Sequence, residues 1–268
     1  MNDFTTKQRI LLLLFVAFGV RAVVFFFVHP YEGIFQIPFQ ELEPYQDFKL
    51  LYMKEVENFL NGKLPYKDFF HAYPPLFLYT LSLIAFFGPP LWASALPIVA
   101  YDALTILPVF LIARRLIDET RASLIAIVAS LTPMVLFYNS VLWLNPPPST
   151  FFMLISAYFL LRGNIRLSAI TLALATGYKQ TSVVLFPAML IGAYRFGSKR
   201  STAEFFLIFT LIGFIISVPY IIEFPLIYLW SLGVPGIPTP EMYGPPSEEW
   251  KYDISQPINF LTYFGVFG

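Results

Sequence analysis

Long apolar runs separated by short cationic turns constrain this chain more than any other feature. They occupy residues 10–28, 91–113, 124–138 and 205–222. Runs of about 17–25 apolar residues are long enough to cross a bilayer as helices. The chain is 57% hydrophobic and 13% charged, where soluble domains average about 45–50% apolar and about 25% charged. A water-soluble core is excluded. The expected fold is all-α: a single polytopic membrane domain over residues 1–268, with about seven transmembrane helices and amphipathic helices in its outer loops.

A formal net charge of zero conceals a strong asymmetry. Cations cluster at Lys7/Arg9, Arg114/Arg115/Arg121, Arg162/Arg166 and Arg195/Lys199/Arg200, whereas acids gather in 29–75 and 223–257. Short Lys/Arg-rich loops stay cytoplasmic. The N-terminus is therefore expected inside and both acidic segments outside, in a protein of the plasma membrane. No basic face exists away from the membrane flanks, so nucleic acid is not an expected partner. With no cysteine, disulfides and thiolate metal sites are excluded. His29 and His71 have no partner at zinc-ligand spacing. The first apolar run is long, contains Arg21 and lacks a small-x-small cleavage site, which reads as an uncleaved helix.

The loop 29–75 is the most informative segment. Residues 31–44 are irregular, with Pro38 and Pro44. Residues 45–60 then carry Phe48, Leu51, Tyr52, Val56, Phe59 and Leu60 at helical spacing, a pattern that suits a surface-lying helix ended by Asn61-Gly62. Residues 76–88 reach only about half a bilayer and are expected to dip or lie flat. The segment 167–194 has cationic loops at both ends. The charge rule requires a broken hairpin, with Gly177-Tyr178-Lys179-Gln180-Thr181 at its outer apex. The apolar 258–268 begin a helix with no polar tail after it, so a longer parent protein is expected. Residues 233–257 form a Pro- and Gly-rich outer loop, a candidate lid.

Several residues can carry chemistry. Asp47, at the start of the amphipathic stretch, can take a proton from an acceptor hydroxyl or hold a divalent cation such as Mg or Mn; it can equally be a helix N-cap. Glu43 is the candidate second carboxylate. Lys179 is costly in an apolar segment, and at the apex of a broken hairpin it and Gln180 suit a phosphate-bearing ligand; alternatively the lysine snorkels to the surface. Arg21 and Asp102 lie within membrane helices and either pair structurally or leave Arg21 to reach the same phosphate as Lys179. Tyr66, Tyr73 and the neighbouring aromatics can stack on sugar rings or form an interfacial belt.

Taken in order, these residues resemble the GT-C superfamily, the polytopic transferases that use polyprenyl-phosphate-linked sugars, and especially its archaeal and other prokaryotic mannosyltransferase-like members. The resemblance covers essentially the whole chain. It rests on Arg21 late in the first helix, Asp47 in the outer loop, the G-x-x-P-Y element at 62–66, Tyr-Pro-Pro-Leu at 73–76, Asp102 in a following helix and the 177–181 turn. It implies an inverting transfer of a sugar, such as mannose, from a polyprenyl-phosphate donor to a lipid or glycan acceptor at the outer face. Asp47 would be the base or the metal-assisted activator, and Lys179, with Arg21, would stabilise the departing phosphate. Many members carry two clustered acids, and here Asp47 has only Glu43 nearby, across Pro44. A transporter or flippase of lipid-linked sugars and an inactive assembly subunit are the competing readings.

Overall fold

The computed structural model describes residues 5–25, 47–89 and 91–234. Glu43, His29, the irregular 31–44, most of the 233–257 loop and the terminal 258–268 lie outside the described residues. The described residues are helical apart from turns, with an isolated bridge between Pro65 and Phe69.

Helix α1 (Thr6–Val23) starts on a capping box in which Thr5 and Gln8 bond each other's backbone amides. Residues Asp47–Tyr52 form a π-helical turn that leads into α2 (Met53–Leu60). Then follow α3 (Pro75–Ala85), α4 (Leu91–Ser94), α5 (Leu96–Leu104) and α6 (Ile106–Ala113). Helix α7 (Glu119–Ser130) is capped by Asp118, whose carboxylate accepts from the Thr120 and Arg121 amides. After α8 (Pro133–Leu136) and a π-turn at Phe137–Val141 come α9 (Pro146–Leu161) and α10 (Ile165–Tyr178). A 3-10 turn (Gln180–Leu185), α11 (Phe186–Phe196), α12 (Lys199–Glu223) and α13 (Pro225–Ser231) complete the described chain.

The helices run between a cationic end and an aromatic end. At the cationic end, Arg9 and Arg114 both approach Glu119, joining the starts of α1 and α7, and Arg166 pairs with Glu204 at 2.6 Å, joining the starts of α10 and α12. Leu13 and Ala17 of α1 pack with Ile106, Phe110, Ala122 and Ala126. At the aromatic end, Phe25, Phe48, Tyr52, Phe77, Ile98, Trp143 and Tyr178 share one core, and Tyr66, Tyr220 and Tyr228 share another. Helices α1, α10 and α12 therefore run from the cationic end towards the aromatic end, and α5–α6 run back.

Among the described residues two helices are long and apolar enough to cross a membrane, Trp92–Ala113 and Lys199–Glu223. A third span results if Glu119–Ser130 and Pro133–Val141, bent by 49°, count as one. About seven crossings were expected. Helices α9 and α10, at 16 and 14 residues, reach about 24 and about 21 Å against a hydrocarbon core of about 30 Å. Helix α3 matches the half-thickness segment expected at 76–88, and its buried Phe77, Leu78 and Leu81 all belong to the aromatic-end core.

Small residues line the contact between α9 and α10. Ser156 Oγ donates to the Ser168 carbonyl at 2.7 Å and Ser168 Oγ to the Ser156 carbonyl at 2.9 Å, both fully buried between α9 and α10. Small hydroxyl-bearing residues let backbones approach closely where lipid offers no hydrophobic drive.

Candidate active site

Asp47 opens the π-turn with its side chain exposed, while Phe48 and Tyr52 on the same turn are buried. Among the described residues its carboxylate makes no hydrogen bond, and none caps the helical stretch that it opens. The Phe48 ring meets Trp143 edge-on at 5.2 Å, and Tyr52 meets Tyr73 at 5.9 Å and Phe77 at 5.0 Å. These contacts fix the turn against α3 and leave the acid open.

The break expected at 177–181 falls at Lys179, whose φ of −152° and ψ of 120° end α10. The Lys179 ammonium makes no ion pair with a described carboxylate; it sits 5.9 Å from the centre of the Tyr73 ring. Gln180 Nε2 donates to the Ala72 carbonyl at 2.9 Å. Among the described residues the buried Gln180 Oε1 and Ser182 Oγ have no hydrogen-bond partner. An unpaired lysine beside unsatisfied buried acceptors and donors is unusual in a finished core. Asp47 and Lys179 come from segments more than a hundred residues apart, yet their neighbours Phe48 and Tyr178 belong to the same aromatic core.

Tyr66 and Tyr73 are held by specific bonds. Tyr66 has a φ of 68°, a conformation costing a bulky residue of order 1–3 kcal/mol. Its hydroxyl donates to the Tyr73 carbonyl at 2.7 Å, and its ring packs edge-on against Tyr220 at 4.7 Å and Tyr228 at 4.9 Å. Burial pushes the Tyr52 and Tyr66 hydroxyls well above the ordinary tyrosine range, so both act as neutral phenols. The Tyr79 and Tyr220 hydroxyls share a hydrogen bond that ties α3 to α12.

Of the two readings of Arg21, the ion pair is the one present. Arg21 Nε donates to Asp102 Oδ2 at 2.7 Å, with side chains 1% and 3% exposed. Its Nη1 donates to the Ala17 carbonyl and to Ser130 Oγ. Asp102 also accepts from Asn139 Nδ2 at 2.8 Å. The guanidinium thereby joins α1 to Asp102 of α5 and to Ser130 of α7.

Sequence reasoning missed the buried pair of Glu55 and His71, 2.9 Å apart. Glu55 was detectable, because it lies three residues after Tyr52 and four before Phe59, on the apolar stripe of the amphipathic helix. A carboxylate on a buried stripe requires a partner. Among the described residues no group of three or more His, Asp or Glu side chains could hold a metal ion. A cavity of about 700 Å³ between α11 and α12, lined by Leu190, Ile191, Tyr194 and Phe206, contains none of the site residues.

Comparison with protein families matches residues 72–222 to dolichyl-phosphate-mannose-protein mannosyltransferase, which is more than half of the chain. The chain belongs to that mannosyltransferase family. No curated protein and no solved structure matches it. Membership makes it an integral membrane glycosyltransferase that draws on a lipid-linked sugar donor. The part matched to the mannosyltransferase family includes Tyr73, Asp102, Lys179 and Gln180. It begins after Arg21, Glu43, Asp47, Glu55, Tyr66 and His71, so the reading of those positions rests on their own geometry and on the sequence.

Proposed function

We propose that this mannosyltransferase-family protein moves a sugar, mannose being the first candidate, from a polyprenyl-phosphate donor to an acceptor hydroxyl at the extracytoplasmic face of the plasma membrane, with inversion. What supports the reading is that Asp47 and Lys179, neither in an ion pair among the described residues, each adjoin a residue of one aromatic core, Phe48 and Tyr178. The Asp47 carboxylate is exposed and, among the described residues, makes no hydrogen bond, and the Lys179 ammonium lies 5.9 Å from the centre of the Tyr73 ring with no described carboxylate as partner.

The chemistry follows from those two charges. Asp47 accepts the proton of the acceptor hydroxyl as its oxygen forms a bond to the anomeric carbon of the sugar. The bond from that carbon to the phosphate oxygen breaks, and its electron pair leaves with the polyprenyl phosphate. Lys179 stabilises the negative charge gathering on the departing phosphate, the type of contribution that is usually the largest in such reactions. Gln180 Oε1 and Ser182 Oγ, buried and without a hydrogen-bond partner among the described residues, are the groups proposed to bond the donor's polar head. Tyr66 and Tyr73 shape the floor under it. Glu43 is the proposed second carboxylate of the acceptor side. The sidedness follows from the cationic loops, and the acceptor is a lipid or glycan hydroxyl.

Sugar transfer from a polyprenyl-phosphate donor in detergent tests this directly. Positioned general bases contribute about 10²–10⁴-fold, so Asp47→Asn is expected to slow transfer by that order. Equal rates for the variant and the wild type would remove Asp47 from the reaction. A wild-type protein with no transfer at all would favour an assembly subunit.

A further inference from the structure

Glu55 and His71 are two ionisable groups in the outer loop for which the proposed reaction has no use. Both are shut away from solvent, with His71 0% and Glu55 5% exposed. His71 Nδ1 lies 2.9 Å from Glu55 Oε2. An ionised carboxylate only accepts hydrogen bonds, so with Glu55 ionised the donor is the Nδ1–H tautomer of His71. Among the described residues the remaining atoms, Glu55 Oε1 and His71 Nε2, have no hydrogen-bond partner. A buried polar pair left half satisfied is a poor source of stability, and apolar side chains of the same volume often do as well or better. What such a pair supplies is direction, because a hydrogen bond fixes one register where apolar packing tolerates sliding.

The register it fixes joins the two halves of the site. Glu55 sits in the first turn of α2, on the helical stretch that Asp47 begins. His71 lies just before α3, and the two carbonyls after it hold the rest of the site. Ala72 accepts from Gln180 Nε2 at 2.9 Å, and Tyr73 accepts from Tyr66 Oη at 2.7 Å. The His71 ring also meets Tyr66 at 5.5 Å and Tyr73 at 6.0 Å, and Tyr73 is the ring beneath Lys179. A path of bonded contacts therefore runs from Asp47 down its helix to Glu55, across to His71, along the backbone to Ala72 and over to Gln180 and Lys179.

We propose that Glu55 and His71 form a positioning pair, which sets the distance between Asp47 and Lys179 by clamping the helix that carries the first to the segment on which the second rests. This rests on the transferase reading given above. Misplacing a catalytic group by about 1 Å can cost about 10²-fold in rate, so a loosened clamp acts on turnover before it acts on donor binding.

The test uses the full chain in detergent and the double variant Glu55→Leu/His71→Leu, which replaces the pair by apolar volume. Its thermal unfolding is expected within a few degrees of wild type, its donor KM within about threefold and its kcat at least about tenfold lower. His71→Asn, whose amide can replace the Nδ1 donor, is expected to recover most of the lost kcat. A second readout does not depend on activity. Because the chain has no cysteine, spin labels can be placed by Leu50→Cys and Val183→Cys, at positions 58% and 44% exposed. The distance distribution is expected to be narrow in the otherwise native chain and broadened by the double variant. Should that variant not fold, Glu55→Gln is read the same way. An unbroadened distribution with undiminished kcat, while Asp47→Asn is inactive, overturns the positioning pair and leaves the transferase reading standing. Full activity in Asp47→Asn would instead overturn the transferase reading itself.

Discussion

Arg21 shows what a charge inside an apolar helix requires. Its guanidinium is met by Asp102, Ser130 and the Ala17 carbonyl, and Asp102 in turn by Asn139. Removing one partner of a buried pair leaves an uncompensated charge, at a cost of about 3–5 kcal/mol. Asp102→Ala is therefore expected to lower stability by that order, read as a large fall in the unfolding temperature in detergent, and Arg21→Leu/Asp102→Leu is expected to recover much of it. The pairing was legible in the sequence, since ionisable residues in membrane helices usually face inward and pair. The contributions of Ser130 and Asn139 were not, because neutral polar residues beside Pro133 and in the proline-rich turn carry no period to mark their direction. The cap reading of Asp47 and its open carboxylate look identical in sequence, and only the missing hydrogen bond separates them.

At the scale of elements, the functional geometry depends on where α10 stops. The charge rule placed a break at 177–181, and the extended backbone of Lys179 is that break. The reason the turn lies so close to α3 is Gly177. A Cβ there would fall 2.7 Å from Leu76 Cδ1 and 3.0 Å from Ile216 Cδ1, so both helices pack against bare backbone. Gly177→Val is expected to push α3 away, weaken the Thr80–Tyr178 hydroxyl contact of 2.8 Å and lower transfer with only a modest loss of stability. Measuring kcat alongside thermal unfolding separates the two effects, and unchanged transfer would remove this crossing from the account. The π-turn at Asp47–Tyr52 was not legible, because the stripe of residues 45–60 fits any helical winding within one turn. Its effect is to bury Phe48 and Tyr52 and leave Asp47 outside.

On the whole-molecule scale, membrane character and helical class follow from composition and run length alone. The number of crossings does not, because the short α9 and α10 cannot be sorted by length into spans and half-spans. The alternation of cationic and aromatic ends gives an expectation that can be checked. Single cysteines introduced at Asn61 and at Ser198 are expected to react with an impermeant thiol reagent from opposite sides of intact cells, Asn61 from outside. Reaction of both from one side would overturn the sidedness on which the extracytoplasmic site depends.

The central claim is that Asp47 and Lys179 divide one reaction between them, proton removal on one side and phosphate stabilisation on the other. Measuring donor affinity and single-turnover transfer in the same preparations of Asp47→Asn and Lys179→Ala tests it most directly. The account predicts that Asp47→Asn binds the polyprenyl-phosphate sugar as wild type does but transfers it about 10²–10⁴-fold more slowly, and that Lys179→Ala binds donor at least about tenfold more weakly. Native donor affinity in Lys179→Ala together with native transfer in Asp47→Asn would contradict it.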